Sequence, residues 1–324
     1  MKNIWNELKK PIMILAPMAD VTDTAFREVI AKYGKPDICY TEFVSCDGLC
    51  HDEARKKLLI DFAYSKNEHP IIAQLFGGKP ENFAKCAELV QRLGFDGIDI
   101  NMGCPDRNVE KQGAGAALIK DPKRAQAIIR ETKKGAGDLP VSVKTRIGYN
   151  KNTAHEWLHQ LVEVEPAALI FHLRTRKEMS NVPADWSVMK ELMEEIQKEN
   201  VRPIMIGNGD VETREEAEQK VKETGADGVM IGRGIFGNPW LFNKERKKEN
   251  IPIEEQLEVM IEHTRLFEKY FSGIKTFDVM KKHYKAYITG FDGVKEIRAK
   301  LMKTTSSKEV VDTVRKYFPN VKLS

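Results

Sequence analysis

The chain has 324 residues and a mass of 36.9 kDa, with 41% hydrophobic residues, 31% charged residues and a formal net charge of +4. That balance supports both a sizeable core and a solvated surface, and it excludes a mainly disordered, collagen-like or mucin-like chain. No apolar run approaches the roughly 20 residues needed to cross a bilayer, and the start, with Glu7 in it and only a short apolar stretch after it, makes a poor secretion signal.

The five cysteines, at 39, 46, 50, 86 and 104, are odd in number and scattered, which fits reduced thiols in a cytoplasm. In chain order, eight short β-rich apolar runs follow one another: Ile12–Ala16, Ile38–Phe43, Ile71–Leu75, Gly97–Asn101, Val141–Lys144, Ala168–His172, Pro203–Gly207 and Gly228–Gly232. Each reads as a strand buried on both faces of a parallel sheet. Between them lie helix-like segments. Pro80–Leu93 carries Phe83, Ala87 and Val90 on one stripe with Pro80 at its start, and Arg214–Thr224 opens on Thr213 with a glutamate three residues on, a capping-box pattern. The starts of the runs are 26, 33, 26, 44, 27, 35 and 25 residues apart, the length of a repeated β/α unit. Eight such units predict a closed (β/α)₈ TIM barrel. An open doubly wound sheet is the alternative, but no G-x-G-x-x-G follows the first strand.

After Asn238-Pro239-Trp240 the strand runs stop, and Ile253–Phe271, Lys275–Ile288 and Gly293–Met302 read as helices. The expected division is a barrel domain over 1–242 and a smaller helical domain over 243–324. Residues 241–324 hold 18 Lys+Arg against 12 Asp+Glu, a net of +6, while residues 1–240 net −2. A near-neutral body with a basic helical piece suits polyanion binding; a lysine-rich solubilising surface is the alternative.

Chemistry in such a barrel collects where strands end at their C-terminal side. Here those ends carry Pro17-Met18-Ala19, Glu42, Gln74, the run from Asp99 and Asn101 to Cys104-Pro105, Lys144 with Arg146, His172 with Arg174 and Arg176, Gly207-Asn208-Gly209-Asp210, and Gly232-Arg233-Gly234. The glycine turns after the last two strands, each expected to lead into a helix, have the makings of a phosphate pocket built from backbone N–H groups, with Arg233 adding a charged contact. A phosphate site beside a lysine and amides suits a phosphorylated cofactor with a polar ring. Cys104, between glycine and proline in the loop after strand four, offers a thiol that is mostly protonated at neutral pH. It can give a proton to carbon, or act as a nucleophile when activated. Cys39 and Cys86 read instead as strand core and helix face. Cys46-x₃-Cys50-His51 lacks a fourth partner at zinc spacing, so no metal is expected.

These motifs resemble the tRNA-dihydrouridine synthases of bacteria. The resemblance runs from Pro11 into the C-terminal helices and rests on Ala16-Pro17-Met18-Ala19, Thr22-Asp23, Phe26-Arg27, Thr41-Glu42-Phe43, Gln74-Leu75-Phe76-Gly77, the Asn101–Pro105 segment, Gly113-Ala114-Gly115-Ala116-Ala117-Leu118, Val143–Arg146, His172–Arg176, Ala184-Asp185-Trp186 and the two glycine turns. It implies an FMN-dependent barrel that reduces particular uridines in tRNA, recharged by NADPH or NADH; the chain itself is expected to be cytoplasmic and monomeric. By residue, it implies that Pro17, Met18, Ala19, Gln74, Lys144, Asn208, Gly209, Asp210, Gly232 and Arg233 hold FMN, with His172 at the cofactor or the base. Cys104 would be the proton donor, Asn101 and Arg146 would contact flavin or uracil, and Arg174 and Arg176 would face the substrate. The helical domain would grip tRNA through Lys281, Lys282, Lys285 and Arg298, whereas Met280, Tyr284, Tyr287 and Ile288 at helical spacing read as packed core.

One loop departs from the family. Lys177–Val182 stands where a Gln and a Tyr before a Gly are common, and Leu173 replaces a commoner small residue. Two other readings remain: a flavin barrel reducing a small pyrimidine or enone, and a catalytically idle barrel serving as an RNA-binding module.

Overall fold

The apolar runs form eight parallel strands: β1 (Ile12–Leu15), β2 (Cys39–Ser45), β3 (Ile71–Phe76), β4 (Gly97–Met102), β5 (Val141–Arg146), β6 (Ala168–His172), β7 (Ile204–Asn208) and β8 (Gly228–Ile231). This is a computed structural model, and it describes residues 3–198, 202–291 and 293–321. The sheet order is β1-β8-β7-β6-β5-β4-β3-β2, and a parallel bridge between Ile14 and Ile38 joins its two ends. The barrel expected from the eight repeats is therefore what forms. Ile12, Ile14, Ile38, Tyr40, Ile72, Ile170, Ile206 and Met230 fill its interior together with Trp5. Each such side chain contributes about 1.5–3 kcal/mol by leaving water, and the β-branched residues among them suit the pleat.

In chain order the α-helices are α1 (Ile4–Glu7), α2 (Thr24–Tyr33), α3 (Cys46–Leu49), α4 (Asp52–Leu58), α5 (Pro80–Arg92), α6 (Arg107–Lys111), α7 (Pro122–Ala136), α8 (Ala154–Val162), α9 (Trp186–Ile196), α10 (Arg214–Thr224), α11 (Ile253–Phe271), α12 (Val279–Tyr287), α13 (Val294–Leu301) and α14 (Ser307–Tyr317). The sequence signals at their ends are realised. Pro80 sits in the first turn of α5, which buries Phe83, Cys86, Ala87 and Val90. At α10 the Glu216 N–H donates to the Thr213 hydroxyl at 3.1 Å, and the Thr213 N–H to the Glu216 carboxylate at 3.2 Å. One expectation fails. The run after β8 enters a single 3₁₀ turn, Arg233–Ile235, and the next α-helix begins only at Ile253.

By contacts the chain divides into two units. One comprises Met1–Met18, Asp37–Ala63 and His69–Gly232; the other comprises Ala19–Pro36, Tyr64–Glu68 and Arg233–Ser324. In the second unit α2 packs on α11, with Phe26 stacked on His263 at 4.7 Å between ring centroids and Tyr33 donating to Glu262 at 2.6 Å. Arg27 and Glu68, both fully buried, pair at 2.6 Å, and the same arginine donates to the Thr22 carbonyl. Removing either partner would strand a buried charge, at about 3–5 kcal/mol. The helix expected over 275–288 is shorter, Val279–Tyr287, with turns occupying the segment up to Asp278.

Candidate active site

The barrel interior is not wholly apolar. Gln74 follows Ile72 on the inward face of β3, His172 follows Ile170 on β6, and Asn208 follows Ile206 on β7, each by the two-residue period of a strand. Register makes neighbours of the polar set: Gln74 pairs with Asp99, Asp99 with Ser142, Asn101 with Lys144, Arg146 with His172, and His172 with Asn208. The strand-end residues singled out by sequence are thus brought together over β3–β7.

Buried polar groups need partners, and here they form a chain of hydrogen bonds. The Ser142 hydroxyl donates to Asp99 Oδ1 at 2.6 Å, and Gln74 Nε2 donates to Asp99 Oδ2 at 2.7 Å. With its amide nitrogen so committed, Gln74 turns its oxygen to accept from Asn101 Nδ2 at 3.0 Å. That in turn leaves Asn101 Oδ1 facing the loop, where it accepts the N–H groups of Gly103 at 3.1 Å and Cys104 at 2.9 Å. A carboxylate thus fixes which way two amides point, and the second amide fixes the cysteine. Burial raises the Asp99 carboxyl to about 6, partly offset by the hydrogen bonds from Ser142 and Gln74.

Cys104 is half-buried, and burial pushes its thiol up from the ordinary value, so it carries its proton at neutral pH. Its loop is held from the other side as well. The Ala116 N–H donates to the Cys104 carbonyl at 2.9 Å, next to Gly115, whose φ is 58°. A Cβ on Gly115 would lie 2.7 Å from that carbonyl oxygen, so only glycine fits.

Three arginines expected near the substrate are bound into the loops around it. Arg146 donates from Nε to the Gly103 carbonyl at 2.8 Å and from Nη1 to the carbonyls of Thr175 and Met179, both at 3.1 Å. Arg174 is buried, pairs with Asp210 and donates to the Val182 carbonyl at 2.6 Å, with His172 Nε2 at 3.3 Å. Arg176 forks onto Glu110, at 3.0 Å from its Nε, and reaches the Pro105 carbonyl. The departing loop 177–182 therefore supplies carbonyls to Arg146 and Arg174, and Glu178 accepts the Thr175 N–H at 2.7 Å. Sequence reading passed over Ser142 and Glu110, and it quoted Asp99, Gly115 and Glu178 in motifs without giving them a role. The signal available for Asp99 was a charged residue inside an otherwise apolar strand.

Lys144 is the cation of the interior. Its ammonium donates to Asn208 Oδ1 at 3.1 Å, while Asn208 Nδ2 donates to the Met230 carbonyl at 2.8 Å. Burial first, and repulsion by Arg146 second, bring the lysine down to about 8. A buried ammonium whose hydrogen-bond partner is a neutral amide is costly alone and suits an electron-rich ligand edge. Beside it Gly209 has a φ of 139°, and a Cβ there would meet the Ala184 Cβ at 2.6 Å. Asp210 next to it is left-handed at φ 53°, and Met18 Sδ lies 3.6 Å from where a Gly232 Cβ would stand. A buried ammonium beside the side-chain amides of Asn208 and Gln74 is a donor set that fits the polar edge of a cofactor ring. Pro17 and Met18 belong to the first unit; Ala19 and Arg233, both exposed, belong to the second. Among the described residues no group of three or more His, Cys, Asp or Glu could hold a metal ion.

In the second unit Lys282 and Lys285 are exposed on α12, and Lys281 is paired with Asp278. Arg298 donates to the Lys285 carbonyl at 2.9 Å, tying α13 to α12. Met280, Tyr284, Tyr287 and Ile288 are buried, as their spacing predicts. His283 is buried as well, and burial lowers it to about 3, so it adds no charge to the lysine face.

Comparison with known proteins gives the same direction. A sequence model of the family described as "Dihydrouridine synthase (Dus)" matches residues 14–322. The chain is 42% identical over 313 residues to the "Probable tRNA-dihydrouridine synthase" of Staphylococcus aureus strain Mu50, covering 95% of this chain and 93% of that protein. It is 39% identical over 329 residues to the "Probable tRNA-dihydrouridine synthase 2" of Bacillus subtilis strain 168, covering 99% of each. Among solved structures, histamine dehydrogenase from Rhizobium sp. 4-9 superposes with a TM-score of 0.57 at 12% identity, over 82% of this chain and 51% of that one. The old yellow enzyme homologue from Zymomonas mobilis does so at 0.50 and 14%, over 74% and 90%. These likenesses concern the fold.

Proposed function

Since the chain belongs to the dihydrouridine synthase family and is therefore an oxidoreductase, we propose that it reduces particular uridines of tRNA to 5,6-dihydrouridine, with FMN as cofactor and NADPH or NADH as reductant. Supporting this reading is a protonated thiol, Cys104, held at the barrel mouth by Asn101 on the same strand ends that carry the Lys144 ammonium.

When bound, FMN would supply the hydride chemistry for reducing the C5–C6 bond of the uracil. Within the first unit, Pro17, Met18, Gln74, Lys144, His172, Asn208, Gly209, Asp210 and Gly232 would hold it. Lys144 offers positive charge to an electron-rich ring edge. Charge building toward C5 of the uracil is met by the Cys104 proton, which leaves the sulfur as the C5–H bond forms. Asn101, Arg146, Arg174 and Arg176 act by fixing the loops that carry Cys104 and border the pocket, and in that way set where the base lies. A uridine within folded tRNA reaches a barrel mouth only after leaving its stack. The helical unit would hold the surrounding RNA by its phosphates through Lys281, Lys282, Lys285 and Arg298.

The direct test mixes the purified, FMN-loaded chain with unmodified tRNA transcripts and NADPH and maps dihydrouridine. Reduction at defined uridines is the expected result. Turnover of free uracil-like compounds without RNA would point to a small-molecule flavin enzyme, and a chain that takes up no FMN would end the reading.

A further inference from the structure

A histidine ring has two nitrogens, and what it can do in a pocket depends on which of them carries the hydrogen. His172 closes β6, and its register partners are Arg146 on β5 and Asn208 on β7. The chain then turns sharply, with the Leu173 N–H donating to the Asn208 carbonyl at 2.9 Å and the Arg174 N–H to the His172 carbonyl at 2.7 Å. The turn brings the Arg174 guanidinium back beside the ring it has just passed, and its Nη1 lies 3.3 Å from His172 Nε2.

All three nitrogens of that guanidinium are committed. Nε donates to the Val182 carbonyl at 2.6 Å, Nη2 to the Asp210 carboxylate, and Nη1 faces His172 Nε2. Asp210 is itself held in place, accepting the Ala184 N–H at 2.8 Å. Arg174 is buried. A planar fork fixed at two of its nitrogens has its third aimed as well.

Arginine has five N–H donors and no acceptor. The imidazole nitrogen that faces it must therefore be the one that accepts. Nε2 then keeps its lone pair and no hydrogen, and the ring hydrogen sits on Nδ1. Charge argues in the same direction. A second proton on the ring would stand against the Arg174 guanidinium, with Arg146 on the neighbouring strand and the Lys144 ammonium on Asn208 also positive. The Asp210 carboxylate, which would favour an imidazolium, is turned to Arg174 instead.

We propose that Arg174 is a positioning residue that keeps His172 neutral, with its hydrogen on Nδ1. The consequence for catalysis rests on the functional reading above. With its lone pair occupied and no hydrogen on it, Nε2 neither gives nor takes the proton of the reaction. His172 meets cofactor or base as a neutral ring of fixed orientation, and the transferable proton stays with Cys104. The loop 177–182 gains a role too, since the Val182 carbonyl is one of the two groups that aim Arg174.

The test is a two-bond hydrogen–nitrogen NMR spectrum of the full-length chain, carrying histidine labelled at its ring nitrogens, at neutral pH and without tRNA. The signals lost in His172→Gln belong to His172. The expected pattern has Nε2 at the pyridine-like position and Nδ1 at the pyrrole-like one. Arg174→Met should abolish it and leave Nε2 protonated, either as Nε2–H or as the imidazolium. Arg174→Gln, which keeps a donor for the Val182 carbonyl, serves in the same way should the first variant unfold. A parent His172 with its hydrogen on Nε2, a doubly protonated parent ring, or a pattern unchanged by the loss of the guanidinium would each overturn the proposal. A brace that only stabilised the loop would leave these signals where they are. A parent with the expected pattern that reduces no uridine would uphold this inference and end the functional reading.

Discussion

Cys104 lies in the loop that follows β4 and Lys144 sits on the adjacent β5, and burial acts on them in opposite directions. The thiol is pushed up and kept neutral; the ammonium is brought down to about 8 and kept charged only at a cost. A neutral thiol is the form that gives up a proton, so Cys104→Ala should retain FMN, and its colour, while uridine reduction falls about 10²–10⁴-fold. Single-turnover assays with pre-reduced enzyme and tRNA measure this, and an unchanged rate would remove the thiol from its role. Lys144 predicts a conflict between stability and binding. Its folded value lies below its unfolded value, so its burial penalty applies in full below pH 8 and is relieved as pH climbs from about 8 through 10.5. At neutral pH that penalty is about 3 kcal/mol. Lys144→Met keeps the stem and removes the charge. The cofactor-free variant should melt higher than the parent at pH 7 and bind FMN at least tenfold more weakly, by differential scanning fluorimetry and flavin titration. A variant that melts lower and binds FMN equally well would show that the cation is already satisfied without a cofactor.

At the scale of elements, β3, β4 and β5 act as one polar assembly, because register places Gln74, Asp99 and Ser142 side by side. The raised Asp99 value makes the assembly pH-sensitive. Its folded state holds the proton up to about 6, so the stabilising contribution is present below about pH 4 and is lost as pH rises through 6. Asp99→Asn preserves an acceptor for Gln74 and cannot ionise, so above pH 6 it should be more stable than the parent by on the order of 3 kcal/mol, the gap closing near pH 4. Parallel melting curves from pH 4 to 7 would contradict this. Asp99→Leu is a different case: Gln74 loses its anchor, Asn101 loses its partner, and the Cys104 loop drifts. A misplacement of about 1 Å is worth around a hundredfold in rate, read as a fall in kcat with KM for NADPH unchanged. Much of this assembly was hidden in the sequence for a physical reason. Parallel strands announce themselves as apolar runs, and Cys104, Lys144 and Asn101 stand out as polar residues at their ends. Partners chosen by the fold do not stand out: Arg176 and Glu110 are 66 residues apart, Arg174 and Asp210 are 36 apart, and Ser142 is too small to attract notice. Sequence therefore yielded the charged groups but not what each one holds: the three arginines expected at the substrate also bond to the loops around it.

At the scale of the whole chain, charge and burial divide the work differently from what the sequence pattern suggests. The basic excess of residues 241–324 is legible directly, as is the packing of Met280, Tyr284 and Tyr287 by helical spacing. The packing of α2, from the first forty residues, against α11 has no sequence mark, because each helix shows only an apolar stripe and never its partner. His283 lies within a lysine-rich stretch yet is neutral and buried, so the positive face of α12 consists of its lysines alone. An RNA contact made by solvated lysines is a contact with phosphates. It displaces counterions, and affinity must then fall as salt rises. The exposed pair Lys282 and Lys285 can be removed together as Lys282→Ala/Lys285→Ala without touching the core, with the loss of one surface hydrogen bond, from Lys282 to the Asp20 carbonyl at 2.7 Å. This double variant should weaken tRNA binding and flatten the slope of log K against log salt by roughly 1–2. FMN content and NADPH oxidation with an artificial electron acceptor should stay at the parent level, since neither involves RNA. Filter-binding isotherms at several salt concentrations read the first effect and absorbance at the nicotinamide band reads the second. An unaltered salt slope would mean that these lysines only solubilise the helix, whereas loss of NADPH oxidation would mean that the helical unit supports the flavin site as well as the RNA.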